Sequence, residues 1–180
     1  MTKWIIVSDN HNEPGILYYT AEKNSDADVL LHLGDSEFSY DDTELSLYRW
    51  VKGNCDFYQE FPKEELVEKD GVRAFYTHGH LYDVNRSRIK LAEKAKSLGC
   101  IFAFYGHTHI AKYEEIAGVH VINPGSISQS RSNIEETYAE VDVRERQQEA
   151  ILNFRNREDQ ILDIVTVSYT HLRAHETLRY

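Results

Sequence analysis

Cysteine is scarce. Cys55 and Cys100 are the only two in 180 residues, and they sit far apart without forming a CxxC pair. That excludes a disulfide framework and suits a cytoplasmic chain with free thiols. Proline is nearly as rare, at three, and no Gly/Ser-rich tract offers itself as a linker. One domain is therefore expected, long enough to bury a real core. No apolar run approaches the roughly 20 residues that a membrane span needs. The opening stretch Trp4-Ile5-Ile6-Val7 is also too short for a signal-peptide core, so no membrane partner is expected. Basic residues are outnumbered, 20 Lys and Arg against 30 Asp and Glu, for a formal charge of −10. No broad basic face is available to grip a nucleic-acid backbone. A phosphate could still be held locally by cations in a site.

What the sequence does have is histidine in clusters. Five of its nine histidines fall in three short motifs: His11, then His78 and His80, then His107 and His109.

The hydrophobic pattern places these motifs. Residues 3–7 (KWIIV) read as a buried strand, followed by a polar exit at Ser8-Asp9-Asn10-His11-Asn12. Pro14 suits a helix first turn, and a helix is predicted over 15–24. A second strand over 29–33 ends at Gly34-Asp35, and a third over 48–52 ends at Gly53-Asn54-Cys55-Asp56. Asp70-Gly71 between apolar runs at 65–68 and 72–76 predicts a hairpin, whose second arm runs into Thr77-His78-Gly79-His80. Ile89, Ala92, Ala95 and Leu98 at helical spacing, with Gly99 as a stop, predict a helix over 84–98. A strand over 100–105 leads into Gly106-His107-Thr108-His109. A second hairpin spans 113–122 around Ala117-Gly118 and closes at Asn123-Pro124-Gly125-Ser126. Segments 138–143 and 150–154 read as edge strands, and such apolar edges could pair two chains into a homo-oligomer. Strands with helices followed by hairpins predict a mixed α/β (α+β) fold of two packed sheets with helices on their outer faces.

Nearly every predicted strand thus ends in a polar cluster able to bind metal, and in layered α/β proteins sites collect at carboxyl ends of strands. Imidazoles suit Mn, Fe, Zn, Ni or Co, and carboxylate or amide oxygens suit harder ions. Seven candidates, Asp9, His11, Asp35, Asn54, His78, His107 and His109, are too many for one tetrahedral zinc. They suit two metals ~3.5–4 Å apart sharing a carboxylate. An alternating D-x-H or H-x-H aims both side chains the same way from an extended backbone. Glycine beside each cluster (Gly34, Gly53, Gly79, Gly106) allows a close backbone approach.

In this order, Asp9-Asn10-His11, Gly34-Asp35, Gly53-Asn54-Cys55-Asp56, His78-Gly79-His80 and Gly106-His107-Thr108-His109 resemble the calcineurin-like metallophosphoesterase superfamily. The short length, the missing cap domain and the Asn123-Pro124-Gly125-Ser126 ending resemble its small YfcE-like phosphodiesterase branch. The resemblance covers residues 1 to about 155. It implies a four-layer αββα sandwich of two mixed sheets and hydrolysis of small phosphoesters. It implies two divalent ions, manganese first, with Ni, Fe, Zn or Co also suited. Asp9, His11 and His109 would hold the first, Asn54, His78 and His107 the second, and Asp35 would bridge both. A bridging hydroxide would attack phosphorus in line. Asp35, Asn54 and His80 form the expected catalytic set. Asn54, His80, Asn123 and Ser126 are the expected substrate contacts, although a tight turn explains the last two equally well.

One position departs from the family. Many members carry a histidine after the G-N pair as the acid for the leaving group, and Cys55 stands there instead. His80 is the candidate replacement by proximity. His32 and His120, which lie outside the motifs, are expected to be structural, as is Asp56. The stretch 167–180 (VSYTHLRAHETLRY) differs in composition from the acidic chain before it. It is read as a non-native or disordered tail after a domain over 1–166, and its His171 and His175 are left out of the site. The competing function is a non-catalytic protein-binding scaffold on the same fold, like the phosphoesterase-like subunit of retromer. Competent residues at all seven ligand positions favour chemistry.

Overall fold

The computed structural model describes residues 1–169. Two sheets carry the chain. The first has six strands in the order β11-β10-β9-β1-β2-β3. These are β1 (Thr2–Val7), β2 (Val29–His32), β3 (Arg49–Trp50), β9 (Thr137–Arg144), β10 (Glu149–Asn156) and β11 (Ile161–Ser168). The second has five strands in the order β4-β5-β6-β8-β7. These are β4 (Glu64–Lys69), β5 (Val72–Thr77), β6 (Phe102–Phe104), β7 (Lys112–Ile116) and β8 (Val119–Asn123). Both sheets are mixed: β1 runs parallel to β2 and antiparallel to β9, and β6 runs parallel to β5 and β8 while β4 and β7 run antiparallel to their neighbours.

Strand periodicity sorts the side chains into layers. In β1, Trp4 and Ile6 join the core between the sheets, while Ile5 and Val7 face outward under helix α1 (Ile16–Lys23). In the second sheet, Ala74, Tyr76, Phe102 and Phe104 face the central core. Phe75, Ala103 and Val121 face outward against Leu91, Ala92 and Ala95 of helix α2 (Ile89–Ser97). The result is the expected αββα sandwich. Each large side chain buried this way contributes about 1.5–3 kcal/mol. Helix α1 has no capping side chain of its own. Glu44 supplies one from a distance, accepting the N–H groups of Gly15, Leu17 and Tyr18 at 3.1, 2.8 and 3.1 Å.

Both hairpins form at the predicted places, with left-handed residues in the turns: Asp70 (φ 52°) and Gly71 (φ 79°), then Ala117 (φ 54°) and Gly118 (φ 81°). The second helix starts at Ile89 rather than 84, because residues 83–86 form a turn in which the Asp83 carbonyl accepts the Arg86 and Ser87 N–H groups at 3.1 and 3.3 Å. Segments 138–143 and 150–154 are not edge strands. They lie in β9 and β10, which occupy the interior of the first sheet, between β1 and β11. The outermost strands are β11 and β3 in one sheet and β4 and β7 in the other. The unforeseen strand is β11, and it crosses the boundary drawn at residue 166. Val167 is buried in the central core and Tyr169 is buried beside it. The remainder of the tail, with His171 and His175, lies outside the described residues. Among the described residues no helix is long and apolar enough to cross a membrane.

His32 and His120 are structural, as expected. His32 Nδ1 accepts from the Gly34 N–H at 3.0 Å and its Nε2 donates to Asn10 Oδ1 at 2.7 Å. His120 takes the Tyr113 hydroxyl at 2.8 Å and reaches the Ser168 carbonyl at 3.2 Å, tying the end of β11 to the second sheet. Burial lowers the His32 pKa from 6.5 to about 4. The unfolded chain therefore binds a proton that the folded chain refuses. This stability is present above 6.5 and is lost as pH falls toward 4. In urea unfolding of metal-free protein, moving from about pH 7 to about pH 5 is expected to cost the wild type about 2 kcal/mol more than His32→Gln. Equal pH slopes would show that His32 is not the titrating group.

Candidate metal centre

Four strand ends build the site. β1 and β2 are parallel in one sheet, β5 and β6 are parallel in the other, and their exits meet at one rim of the sandwich. Backbone bonds stitch the exits together. The N–H of Asp9 donates to the Gly34 carbonyl at 3.1 Å, that of His11 to Asp35 at 3.0 Å, and that of Gly106 to His78 at 2.9 Å. The chain turns sharply at each exit. Asp9, His11, Asp35, His107 and His109 all have positive φ, between 42° and 71°. Glycines make the close approaches possible. A Cβ on Gly53 would stand 2.0 Å from Asp35 Oδ1, and one on Gly106 would stand 2.1 Å from Ser8 Oγ and 2.7 Å from Asp9 Oδ2.

Asp9 is the hub. It is fully buried. Its Oδ1 faces Nε2 of His78 at 3.0 Å, of His109 at 3.3 Å and of His11 at 3.6 Å. Its Oδ2 accepts the Ser8 hydroxyl at 2.5 Å and the His107 N–H at 3.1 Å. Asp35 Oδ2 lies 3.2 Å from His78 Nε2 and 3.9 Å from His11 Nε2, and its Oδ1 accepts the Cys55 N–H at 2.8 Å. Asp56 holds the loops from below, accepting the N–H groups of Asp35, Gly53 and Glu37 at 2.8, 2.7 and 2.8 Å. Three groups place ligand atoms within 4.8 Å of one another: Asp9, His11 and His109; Asp9, Asp35 and His78; and His11, Asp35 and Cys55.

This donor set fits cations. His11 Nδ1 meets the Glu37 carboxylate at 2.7 Å and His109 Nδ1 meets the Gln129 carbonyl at 2.7 Å, so both rings carry their proton there. The two Nε2 lone pairs are then left facing each other at 3.1 Å beside Asp9 Oδ1. Acceptors packed this closely repel unless a positive charge stands among them. In the metal-free chain, protons take that part. Burial opposes the charge on Asp9, but hydrogen bonds from His109, His11 and His78 hold its carboxyl well below the usual range. Hydrogen bonding to Asp9 raises His11 to about 9. His78 rises to about 9 as well, the bonds to Asp35 and Asp9 outweighing its burial. Burial and the neighbouring His78 push His80 down to about 4.

The expected first position, Asp9 with His11 and His109, is assembled. Asp35 Oδ2 stands between His78 Nε2 and His11 Nε2, at 3.2 and 3.9 Å. The second position differs in detail. His78 groups with Asp9 and Asp35, and the His107 ring lies 5.1 Å from the His78 ring. Asn54 is exposed, its amide turned to Cys55 Sγ at 3.7 Å. His80 lies against His78, with the two Nδ1 atoms 3.1 Å apart. Asn123 and Ser126 are not presented to a substrate, since both are fully buried. The Asn123 amide donates to the Gly106 carbonyl at 3.0 Å and to Thr108 Oγ1 at 2.9 Å, and its oxygen accepts from Gly125. Ser126 donates to the Asp9 carbonyl at 2.8 Å. Both are braces of the metal loops. The sequence reading missed Ser8 and Glu37. Ser8 precedes Asp9 directly, but nothing in the GDSE stretch singles out Glu37.

A two-sheet sandwich that delivers two carboxylates and a set of imidazoles from strand exits to one rim defines a metallophosphoesterase-type centre. Residues 2–146 match the calcineurin-like phosphoesterase superfamily domain, and the chain belongs to that family. The probable metallophosphoesterase YsnB of Bacillus subtilis is 36% identical over 136 residues, which cover 75% of this chain and 80% of that protein. A crystal structure of a predicted phosphoesterase from Streptococcus pneumoniae TIGR4 superposes with a TM-score of 0.87 at 30% identity, covering 93% of this chain and 97% of that one. Escherichia coli YfcE, a phosphoesterase, superposes at 0.65 with 22% identity over 91% and 98% of the two chains. Vps29 of Chaetomium thermophilum superposes at 0.74 with 16% identity over 95% and 100%. These last two likenesses show the fold alone.

Filling the Gly106 approach tests the geometry. Gly106→Ala is expected to cost about 1–3 kcal/mol of stability and to abolish metal uptake, read by thermal unfolding and by elemental analysis after dialysis. A variant that loads metal like the wild type would show that the Asp9 loop has room to spare.

Proposed function

We propose that the chain is a metal-dependent phosphodiesterase that hydrolyses small phosphoesters with two divalent cations, manganese first among the suitable ions. One observation carries this reading. Asp9 belongs to two of the ligand groups at once, and Asp35 stands between His11 and His78. A divalent pair, when bound, supplies Lewis acidity toward a phosphoryl oxygen and a nucleophile of lowered pKa. In this reading Asp9, His11 and His109 hold one cation, and His78 and His107 with Asn54 turned inward hold the other. Asp35 bridges. Asp56 fixes the Asp35 loop so that its carboxylate does not have to be ordered during reaction.

Protonation of the leaving group is the weak step. At the position where many relatives carry the acid, burial and the Asp35 carboxylate push the Cys55 thiol up to about 11. It keeps its proton and donates poorly. His80 is braced against His78 and is neutral in the metal-free chain. Esters with good leaving groups are therefore favoured. The setting is cytoplasmic in this reading, where Cys55 and Cys100 remain free thiols.

The second reading is a protein-binding scaffold, supported by the fold shared with Vps29. Asp35→Asn separates the two. With bis-p-nitrophenyl phosphate and chelator-stripped protein, added Mn2+ is expected to restore turnover in the wild type. The variant should lose at least ~100-fold in kcat. Full activity in the variant would show that Asp35 does not bridge, and a folded, metal-loaded wild type without turnover would favour the scaffold. Cys55→His is expected to raise kcat on alkyl phosphodiesters by roughly tenfold or more while leaving p-nitrophenyl esters unchanged. An unaltered dependence on leaving group would rule out a missing acid as the rate limit.

A further inference from the structure

Glu37 belongs to none of the three ligand groups, yet its Oε2 lies 2.7 Å from His11 Nδ1. The opposite nitrogen of His11 faces the site, with Nε2 3.1 Å from His109 Nε2, 3.6 Å from Asp9 Oδ1 and 3.9 Å from Asp35 Oδ2. An imidazole that ligates through Nε2 must carry its proton on Nδ1, and that N–H is aimed at the Glu37 carboxylate. An exposed His–Glu pair alone would mean little, since such pairs contribute weakly on a surface. Here the backbone argues for more. Glu37 is left-handed, at φ 57°, a conformation that disfavours any residue with a Cβ. It is kept there by Asp56 Oδ1, which accepts the Glu37 N–H at 2.8 Å while Oδ2 of the same carboxylate holds Asp35 and Gly53. One residue earlier, the Ser36 carbonyl accepts the Asn12 N–H at 2.8 Å, locking the loop to the His11 exit. The strained backbone, clamped from two sides, aims the Glu37 side chain at one ring nitrogen. The other imidazoles are backed differently. His109 Nδ1 donates to the neutral Gln129 carbonyl and His78 Nδ1 faces His80.

We propose that Glu37 is a positioning residue of the metal centre: its carboxylate fixes the His11 tautomer and ring orientation and so sets the affinity of the Asp9–His11–His109 position for its cation. The inference rests on the metal-centre reading above. A carboxylate behind the imidazole makes Nε2 a more basic ligand than a carbonyl would. The side chain lies on the outer side of His11 and need not touch substrate, so its removal should act on metal before chemistry.

The test is metal binding. Chelator-stripped wild type, Glu37→Gln and Glu37→Ala are titrated with Zn2+ and Mn2+ against a competing chelator, with thermal unfolding of each metal-free protein alongside. In Glu37→Ala one binding step is expected to weaken by about 10–100-fold while the other is unchanged. Glu37→Gln, which keeps a neutral acceptor, should fall between. In Zn2+-loaded protein, 15N NMR should find the His11 proton on Nδ1, protected from exchange in the wild type and exchanging faster in Glu37→Ala. Two unchanged steps in Glu37→Ala would overturn the inference. So would an equal fall in both steps together with a loss of metal-free stability, which would mark Glu37 as merely structural. A wild type that takes up no metal would sink the metal-centre reading and this inference together. Wild-type uptake with an unaffected alanine variant would sink this inference alone.

Discussion

A carboxylate with no exposure to water must have positive charge or hydrogen-bond donors around it, and Asp9 is such a group. Its requirement organises the rim. Oδ1 gathers three imidazole nitrogens from the β1, β5 and β6 exits, and Oδ2 takes Ser8 and the His107 N–H. Its backbone N–H is spent on Gly34 and its carbonyl on Ser126. The hub thus joins both sheets and fixes how their exits meet. The layered core explains why the exits can be held there at all. β1 is buried on both faces, by the central core on one side and by the layer under α1 on the other. It is a rigid post.

The rigidity is what makes the exit conformations tolerable. Each non-glycine residue held at positive φ costs on the order of 1–3 kcal/mol when its surroundings impose it. Asp9, His11, Asn12, Asp35, Glu37, His107 and His109 all sit there. They persist because backbone bonds between loops and the Asp56 carboxylate over-determine them. Strain collected on ligand-bearing residues is preorganisation: a cation meets side chains already converged. The same tightness explains the glycines. At Gly53 the Asp35 carboxylate, and at Gly106 the Ser8 hydroxyl with the Asp9 carboxylate behind it, occupy the space a Cβ would need.

Much of this was legible in the sequence because each local signal agreed with the fold. The alternation Trp4, Ile5, Ile6, Val7 reads as a strand buried on both faces, and the structure divides it between two cores. Asp70-Gly71 and Ala117-Gly118 placed both hairpins. Polar clusters after strands located Asp9, His11, Asp35, His78, His107 and His109 at one rim. What the sequence hid depended on partners far along the chain. Whether a strand is an edge is decided by what pairs with it, so β9 and β10 were misplaced because β11, over 161–168, was not read as a strand. Asn123 and Ser126 resemble ligand-facing residues in a polar turn, yet their capacity is spent on Gly106, Thr108 and Asp9. Glu37 carries no motif, because its partner His11 is 26 residues away. Asn54 was read as a candidate from its place at a strand end, but its exposed side chain depends on a loop conformation that no local pattern encodes.

The energetics of the cluster bear on what the fold is for. Docking a protein does not by itself require a buried carboxylate facing three imidazoles. Replacing such a buried charged group with well-packed apolar residues is often neutral or stabilising. Here the cost is compounded. His78 is fully buried and holds its charge only through Asp9 and Asp35, while His11 and His109 turn lone pairs toward each other. Protons can relieve this arrangement only in part, because three rings around one carboxylate cannot all be charged without repelling one another. A divalent cation held by Asp9, His11 and His109 would supply the missing positive charge. A fold that keeps such a charge cluster gains from it when a cation completes the cluster, and this favours the metal-dependent reading proposed above over a surface that only docks a partner.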